Sequence, residues 1–510
     1  LDSRTLSLLL NTLYFATAVC AVSVPLGILL AGLLWRTDYP GRNFWRAILT
    51  GMLFVPLYLQ TAAWQAGFGL QGWCTEVANF PPLIDGWRGA IWIHSMAALP
   101  WVVLIVGLGL RRSERELEEA ALLDASYKKV FFHVTLKNTL PAIGAAVLWV
   151  AVTTAGEMTV TDFFCIRTYA EELYTQIAIG QDPGVPPPSV LLGVVLTVIL
   201  ILGGLKLLNL FIPRERTLSL SESLTFPLGR WRWPIIVIAS LFLLLMIGVP
   251  IGSLIYKAGV KVAQTATGYE RSFSIVKCLT MIVHAPKEYS REFGWSLSIG
   301  SLAATASVML GILLAWWGRT STPRPLFNLR FAICNPQFAI LLFIAVIFSM
   351  PGPILGLGII HLLNQPNLPP LYWLYDHTIL APTLVLILKS LPAAALVMWY
   401  AMQSIPREVL ESASVAGAGS WTQLCRIALP MRWSAAVVAW LIALALSLGD
   451  LAASIQVVPP GISTLSISIF GLLHYGVEDR VAGLCVTLLL ILAGLATIAL
   501  FIVRRMVKSR

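Results

Sequence analysis

Two segments of this 510-residue chain, 293 positions apart, set acidic, small and apolar residues in one unusual order. The later segment runs Glu411, Ser412, Ala413, Ser414, Val415, Ala416, Gly417, then nine residues, then Ile427, Ala428, Leu429, Pro430. The earlier runs Glu118, Glu119, Ala120, Ala121, Leu122, Leu123, Asp124, then nine residues, then Val134, Thr135, Leu136, Lys137. Their chemistry is that of a gripped surface. Small side chains let a partner approach the backbone, and carboxylates near a helix start suit its dipole while staying free for basic partner groups. No nucleophile motif and no His/Asp/Glu cluster at metal spacing accompanies them, so no catalytic or metal-ligating residue is expected.

Both segments begin as helices: Ser113 with Glu116 forms a capping-box start, and Pro406 stands at the corresponding place in the second copy. Gly417 then ends the second helix, and Pro430 sets the entry of the apolar run that follows. In the first copy Asp124 takes the glycine position, Lys137 takes the proline position, and Pro141 is the next proline.

The elements that must hold these segments are membrane spans. The chain is 57% hydrophobic and 12% charged, with a mean hydropathy of +0.80, too much apolar surface for water-soluble domains. Runs long enough to cross a bilayer fall near 10–34, 46–66, 89–110, 141–163, 188–212, 234–256, 294–317, 331–350, 378–402, 433–455 and 481–503, eleven in all. Alternating strand patterns are absent, which excludes a β-barrel and predicts an all-α polytopic membrane protein.

The net charge of +10 does not mark a nucleic-acid partner, because the basic residues sit in short loops between spans. With both acidic segments in the cytoplasm, that side also collects Arg36, Arg42, Arg46, Arg111, Arg112, Arg230, Arg232, Arg407, Arg426 and Arg432, as the positive-inside rule expects. The 257–293 loop, which carries six Lys and Arg residues on the opposite side, fits this topology least well.

Residues 1–212 superpose in pattern on 295–503. Val24-Pro25-Leu26-Gly27 matches Val308-Met309-Leu310-Gly311, and Leu99-Pro100 matches Leu391-Pro392. An even number of spans separates the copies, so the repeat is parallel, about an axis along the membrane normal. The expected domains are a first transmembrane domain at 1–212, a cytoplasmic linker at 213–233 and a second transmembrane domain at 234–510. The second domain has a span ahead of its Trp295 helix that the first lacks. With Leu1 rather than Met at the start, a twelve-span full-length protein is expected.

The two segments resemble the EAA loops of permease subunits in binding-protein-dependent ABC importers, the short helices that ATPase subunits grip. The second copy is nearly complete; in the first, a one-residue gap would instead align Glu119-Ala120-Ala121 with the family's Glu-Ala-Ala. Either register loses the glycine, so an unequal grip is expected. The docking residues carried over are Glu118, Glu119, Ala120, Ala121, Asp124, Glu411, Ala413, Gly417, Ile427, Leu429 and Pro430, with Glu118 or Glu119 meeting the partner. No GxxxxGK[ST] phosphate loop occurs, so ATP and magnesium belong to separate ATPase subunits and the chain itself needs no cofactor.

Val458-Pro459-Pro460-Gly461, Leu472-Leu473-His474-Tyr475-Gly476, the Pro351–Gly358 run and the fused two-copy format resemble the iron(III) permeases, whose relatives carry thiamine, polyamines, sulfate or molybdate. The resemblance implies a type I importer in a bacterial inner membrane with two ATPase subunits. A periplasmic or lipid-anchored binding protein would deliver ferric iron to it. Membrane lipid is the remaining partner. A secondary transporter also shows parallel repeats but would not need a docking helix in each half.

Glu157 and Asp450, again 293 apart, are the candidate translocation-path residues; the competing reading is helix-end capping, with Lys389 as a partner for Asp450. His361, His377 and His474 fall beside outward loops and do not cluster. Seven widely spaced cysteines form no CxxC pair, and three of them, Cys74, Cys165 and Cys278, lie in outward loops where one bridge could form.

Overall fold

The computed structural model describes residues 3–70, 72–78, 81–111, 115–178, 224–265, 268–320, 336–365, 367–476 and 479–508. The run at 188–212, most of the 213–233 linker, Ser113 and Cys334 lie outside the described residues.

Seven described helices are long and apolar enough to cross a bilayer, and three bent helix pairs bring the number to ten. With the 188–212 run set aside, these account for the apolar runs found in the sequence. The bends were not anticipated. Arg42–Met52 turns 107° into the helix that starts at Leu57, and Leu342–Phe348 turns 103° into Gly352–Leu363. The turning residues are prolines: Pro56 (ψ 150°) and Pro351 (ψ 144°) hold extended backbone before each second helix. A proline lacks the N–H that would continue the ladder, so each apolar run breaks there.

Packing divides the chain into two compact units, one from the described residues within 1–179, 186–288 and 469–489, the other from those within 289–468 and 490–510. They do not follow the repeat boundary at 234.

In the first unit α1 (Ser3–Arg36), α2 (Gly86–Leu110), α3 (Arg115–Leu122) and α4 (Leu140–Ala155) form one repeat. They are joined by α5 (Arg232–Gly259), the hairpin β1 (Val260–Thr265) and β2 (Gly268–Phe273), and α6 (Ile275–Glu288). The strands pair antiparallel, from Val260 with Phe273 to Thr265 with Gly268. This hairpin and α6 occupy the loop at 257–293, which carries more regular structure than its charge pattern suggested. The core is the α1, α2 and α4 seam, with Phe15, Leu34, Ile93, Leu99, Val102 and Val150 all buried.

In the second unit α7 (Ser290–Thr320), α8 (Leu380–Gln403), α9 (Arg407–Val415) and α10 (Leu429–Gly449) repeat the pattern. The last helix, α11, spans Asp479–Lys508.

The repeat is visible in one close crossing. A Cβ on Gly27 of α1 would stand 2.4 Å from Val102 Cγ1, and one on Gly311 of α7 would stand 3.0 Å from the backbone nitrogen of Ala395. Without a side chain, each glycine lets its helix touch the proline-containing helix of its own repeat. In lipid, such van der Waals contact is what draws helices together. Pro100 and Pro392 sit inside those partner helices at matching places.

Candidate docking helices and their supports

Helix α3 and helix α9 start with the same dipeptide, Arg115-Glu116 and Arg407-Glu408, and at an offset of 292 their exposure agrees at the first two residues and again from the fifth to the seventh. Glu119 and Glu411 are both the fifth residue, both exposed, and are followed by exposed Ala120 or Ser412 and half-buried Ala121 or Ala413. Beyond the helices the offset becomes 293: a short helix opens at Tyr127 or Ser420, then a π-helical turn at Phe131–Thr135 or Leu424–Ala428. The first loop is therefore one residue shorter. The equal spacing that pairs Glu118 with Glu411 holds only after the loop; within the helices Glu119 stands where Glu411 stands.

The missing residue explains the lost glycine. Gly417 has φ +82°, the left-handed cap that ends α9, and nothing lies within 4 Å of where its Cβ would be. Any other residue there carries only backbone strain, about 1–2 kcal/mol. The first loop, with Asp124 exposed in it, turns without a left-handed residue. Ile427 and Leu429 are partly buried in the π turn and the start of α10, and Pro430 opens that helix just ahead of a kink at Arg432 (φ −124°).

Glu118 faces inward. Its carboxylate pairs with the Arg36 guanidinium, both side chains being fully buried, and it accepts a 2.7 Å hydrogen bond from the Thr135 hydroxyl. Arg36 ends α1, and its own carbonyl accepts the Phe226 N–H at 2.7 Å. A buried pair thus ties α3, the π turn and the end of α1 together. The second repeat has none of it: Thr320, Leu410 and Ala428 occupy the three places. There the loop is held by hydrogen bonds to carbonyls and to one hydroxyl. Arg319 donates to Met402 and Ile405, Arg432 donates to Ser404 at 2.7 Å, and the Trp316 indole donates to the Ser420 hydroxyl at 3.0 Å.

Glu157 and Asp450 lie beyond the ends of α4 and α10 rather than inside spans. Glu157 accepts N–H bonds from Thr159 (2.9 Å) and Val160 (3.2 Å), and Asp450 from Ala453 (3.3 Å) and Ser454 (3.1 Å). Both are caps. Each also has a basic influence: His94 Nε2 stands 3.5 Å from Glu157, and Lys389 acts electrostatically on Asp450. His94, buried on α2, carried no signal in the sequence because its partner is 63 positions away. The six described cysteines, Cys74, Cys165 and Cys278 among them, are free thiols.

Within the first unit, His474 follows the Leu465–Leu473 helix and places Nε2 3.4 Å from Asp162 Oδ2, while Nδ1 donates to the Phe470 carbonyl at 3.0 Å. Both ring nitrogens face acceptors, an arrangement that favours the imidazolium over the neutral ring. The hydrogen bond to Asp162, working against burial, raises the His474 pKa above its ordinary value. Stabilisation from a raised pKa is complete below the unfolded value and is lost as pH rises through the folded one. With selectively labelled histidines, the ring resonance that disappears in His474→Gln is expected to titrate above about 6.5. In Asp162→Asn it is expected to fall back; an unchanged midpoint would show the contact to be inert.

Comparison with known proteins gives one consistent result. Residues 23–217 and 307–510 each match the family described as binding-protein-dependent transport system inner membrane component. The two matches start 284 residues apart, the spacing between Gly27 and Gly311. Among curated proteins, the molybdenum transport system permease protein ModB of Escherichia coli (strain K12) is 31% identical over 181 residues, 32% of this chain and 74% of that protein. The Fe(3+)-transport system permease protein FbpB 2 of Haemophilus influenzae is 25% identical over 324 residues, 61% of this chain and 57% of that protein. The putrescine transport system permease protein PotI of Escherichia coli (strain K12) is 28% identical over 217 residues, 42% of this chain and 73% of that protein.

Proposed function

We propose that this chain, which belongs to the family of binding-protein-dependent transport system inner membrane components, is the fused permease of an ATP-driven ferric iron importer. It is a multi-pass inner membrane protein with two copies of the family's domain, a transport subunit by kinship. The observation that carries the ATP-driven reading is the pair of helices at matched register with an exposed glutamate as fifth residue, α3 and α9. One ATPase subunit seats on each. Glu119 and Glu411 meet basic groups of the ATPase, Ala120, Ala121 and Ala413 let it approach, and Asp124 and Gly417 set the loop behind. Ile427, Leu429 and Pro430 pass the movement into α10, while Glu118 acts from inside as a strut.

Iron is favoured over molybdate and polyamines by format. The likeness to the iron permease runs over 324 residues, more than a single repeat, whereas the molybdenum and putrescine likenesses run over 181 and 217. A soluble or lipid-anchored binding protein brings the ion, so the permease needs no tight site. Beyond their capping bonds Glu157 and Asp450 stay partly exposed, and the proposal includes them as two equivalent contacts for a cationic cargo.

Reconstitution with ATPase and binding protein tests the substrate. Binding protein loaded with ferric iron is expected to raise ATP hydrolysis several-fold over empty protein; stimulation by molybdate, sulfate, thiamine or putrescine in its place would reassign the cargo within the same class. Transport driven by a proton or sodium gradient without ATPase would defeat the class itself.

A further inference from the structure

Helix α6 carries three different faces, and one of them is left bare. One face packs. Cys278 and Ala285 are buried, the Thr487 hydroxyl donates to the Ile282 carbonyl at 3.1 Å, and Met281 lies so close to Gly483 that a Cβ there would stand 2.9 Å from the Met281 Cβ. A second face is polar, with Lys277, His284, Lys287 and Glu288; Lys277 Nζ pairs with Asp479 at 2.6 Å and Glu288 with Arg480 at 3.1 Å. The third is apolar and bare. Ile275, Val276, Leu279 and Val283 fall within about 100° of the helix circumference at 100° per residue and are 56–73% exposed.

Depth in the membrane decides what covers that face. Helix α5 starts at the docking end of its unit, where Leu228 N–H donates to Asp38 at 3.0 Å and Phe226 to Arg36 at 2.7 Å. Its 28 residues rise about 42 Å, more than the roughly 30 Å hydrocarbon core, so Gly259 and the following hairpin emerge at the opposite interface. Three aromatics mark that level: Trp73 packs on Tyr256 (centroids 5.6 Å apart) and Tyr256 stacks on Phe273 (6.0 Å), while the Trp73 indole donates to the Ser253 hydroxyl at 3.1 Å. Tryptophan and tyrosine collect where headgroups meet acyl chains. Ser274 N–H then donates to the Gly259 carbonyl at 2.9 Å, which starts α6 at that same level. Near that level Ile255 of α5 is exposed as well, and further back along the same span so are Val237, Ile238, Leu241 and Leu244.

We infer that α6 is an interfacial helix of the outer leaflet, with Ile275, Val276, Leu279 and Val283 in the phospholipid acyl region and His284, Lys287 and Glu288 toward water. Its partner is the lipid surface itself. Because its ends are ion-paired to the start of α11, the outer leaflet becomes a fixed support for that helix.

The full chain in nanodiscs of phosphatidylethanolamine and phosphatidylglycerol provides the test. A photoreactive benzoylphenylalanine at Val276, Leu279 or Val283 is expected to form phospholipid adducts on illumination, at least fivefold above the same group at His284. Equal yields on the two faces, or capture of an added soluble binding protein at the apolar positions, would overturn the assignment. Hydroxyl-radical footprinting of the unsubstituted protein gives an independent measure: labelling of Leu279 and Val283 is expected to fall on transfer from detergent to nanodiscs while that of His284 holds. No fall at Leu279 and Val283 would count against the lipid seat.

Discussion

Arg36→Met on its own is expected to raise amide hydrogen exchange across residues 115–138 by roughly 10²- to 10³-fold or more, while leaving 407–428 unchanged. The reason is the position of its partner. Glu118 is fully buried with Arg36, and removing one member strands a charge in low dielectric, which costs about 3–5 kcal/mol. Exchange reads that energy locally, because α3 opens as a unit tied to α1 through this pair and to the π turn through Thr135. Glu118→Gln is expected to act in the same direction but less strongly, since the amide can still meet Thr135.

The combined variant Arg36→Met, Glu118→Leu and Thr135→Ala converts the first support toward the Thr320, Leu410, Ala428 arrangement of the second repeat. Apolar replacement of a whole buried pair is often neutral or stabilising. Exchange in 115–138 is therefore expected to return to within about tenfold of the parent. If the combined variant is as open as Arg36→Met, the pair contributes through something other than charge compensation.

Glu411→Lys is expected to reduce binding-protein-stimulated ATP hydrolysis about 30-fold or more, leaving the chain folded and inserted. Glu411 is exposed and its helix has no buried strut, so reversal meets no internal partner and puts like charges against the basic ATPase surface proposed to grip α9. Truncating or reversing a close interfacial charge costs about 2–5 kcal/mol. Glu119→Lys is expected to cost less, because Glu119 already spends part of its charge on Arg115 at 2.6 Å, one turn back on α3. Equal losses would argue that the two helices are gripped alike; no loss from either would remove them from the docking surface.

The sequence made the membrane spans, the parallel repeat and helix α9 legible, because each rests on local order: apolar length, a repeated glycine–proline frame, and an acidic residue ahead of small ones. What it hid depends on distance. A Glu-Glu pair at 118–119 offers two registers, and which carboxylate points inward is decided by Arg36, 82 residues earlier. The one-residue shortening of the first loop is invisible to a constant offset fitted across helix and turn together. Pro56 is plain in the sequence, yet the 46–66 run around it reads as a straight span because hydropathy carries no direction; the 331–350 run stops short of Pro351 and misses the helix beyond it. Glu157 and Asp450 were weighed between path and cap; the N–H groups they bind come from the next few residues, and only the turn geometry aims them there. Helix α6 was lost inside a charged loop, since its packed and bare faces mix with lysines along the chain.

The central claim is that separate ATPase subunits seat on α3 and α9. Single cysteines at Ala120 and Ser412, exposed and at matched register, can be cross-linked with a short bifunctional reagent to the ATPase in the assembled complex. Both positions are expected to yield a chain–ATPase adduct, weaker at Ala120, and a control cysteine at Val276 none. Absence of ATPase adducts at both positions in a complex that still transports would contradict the account.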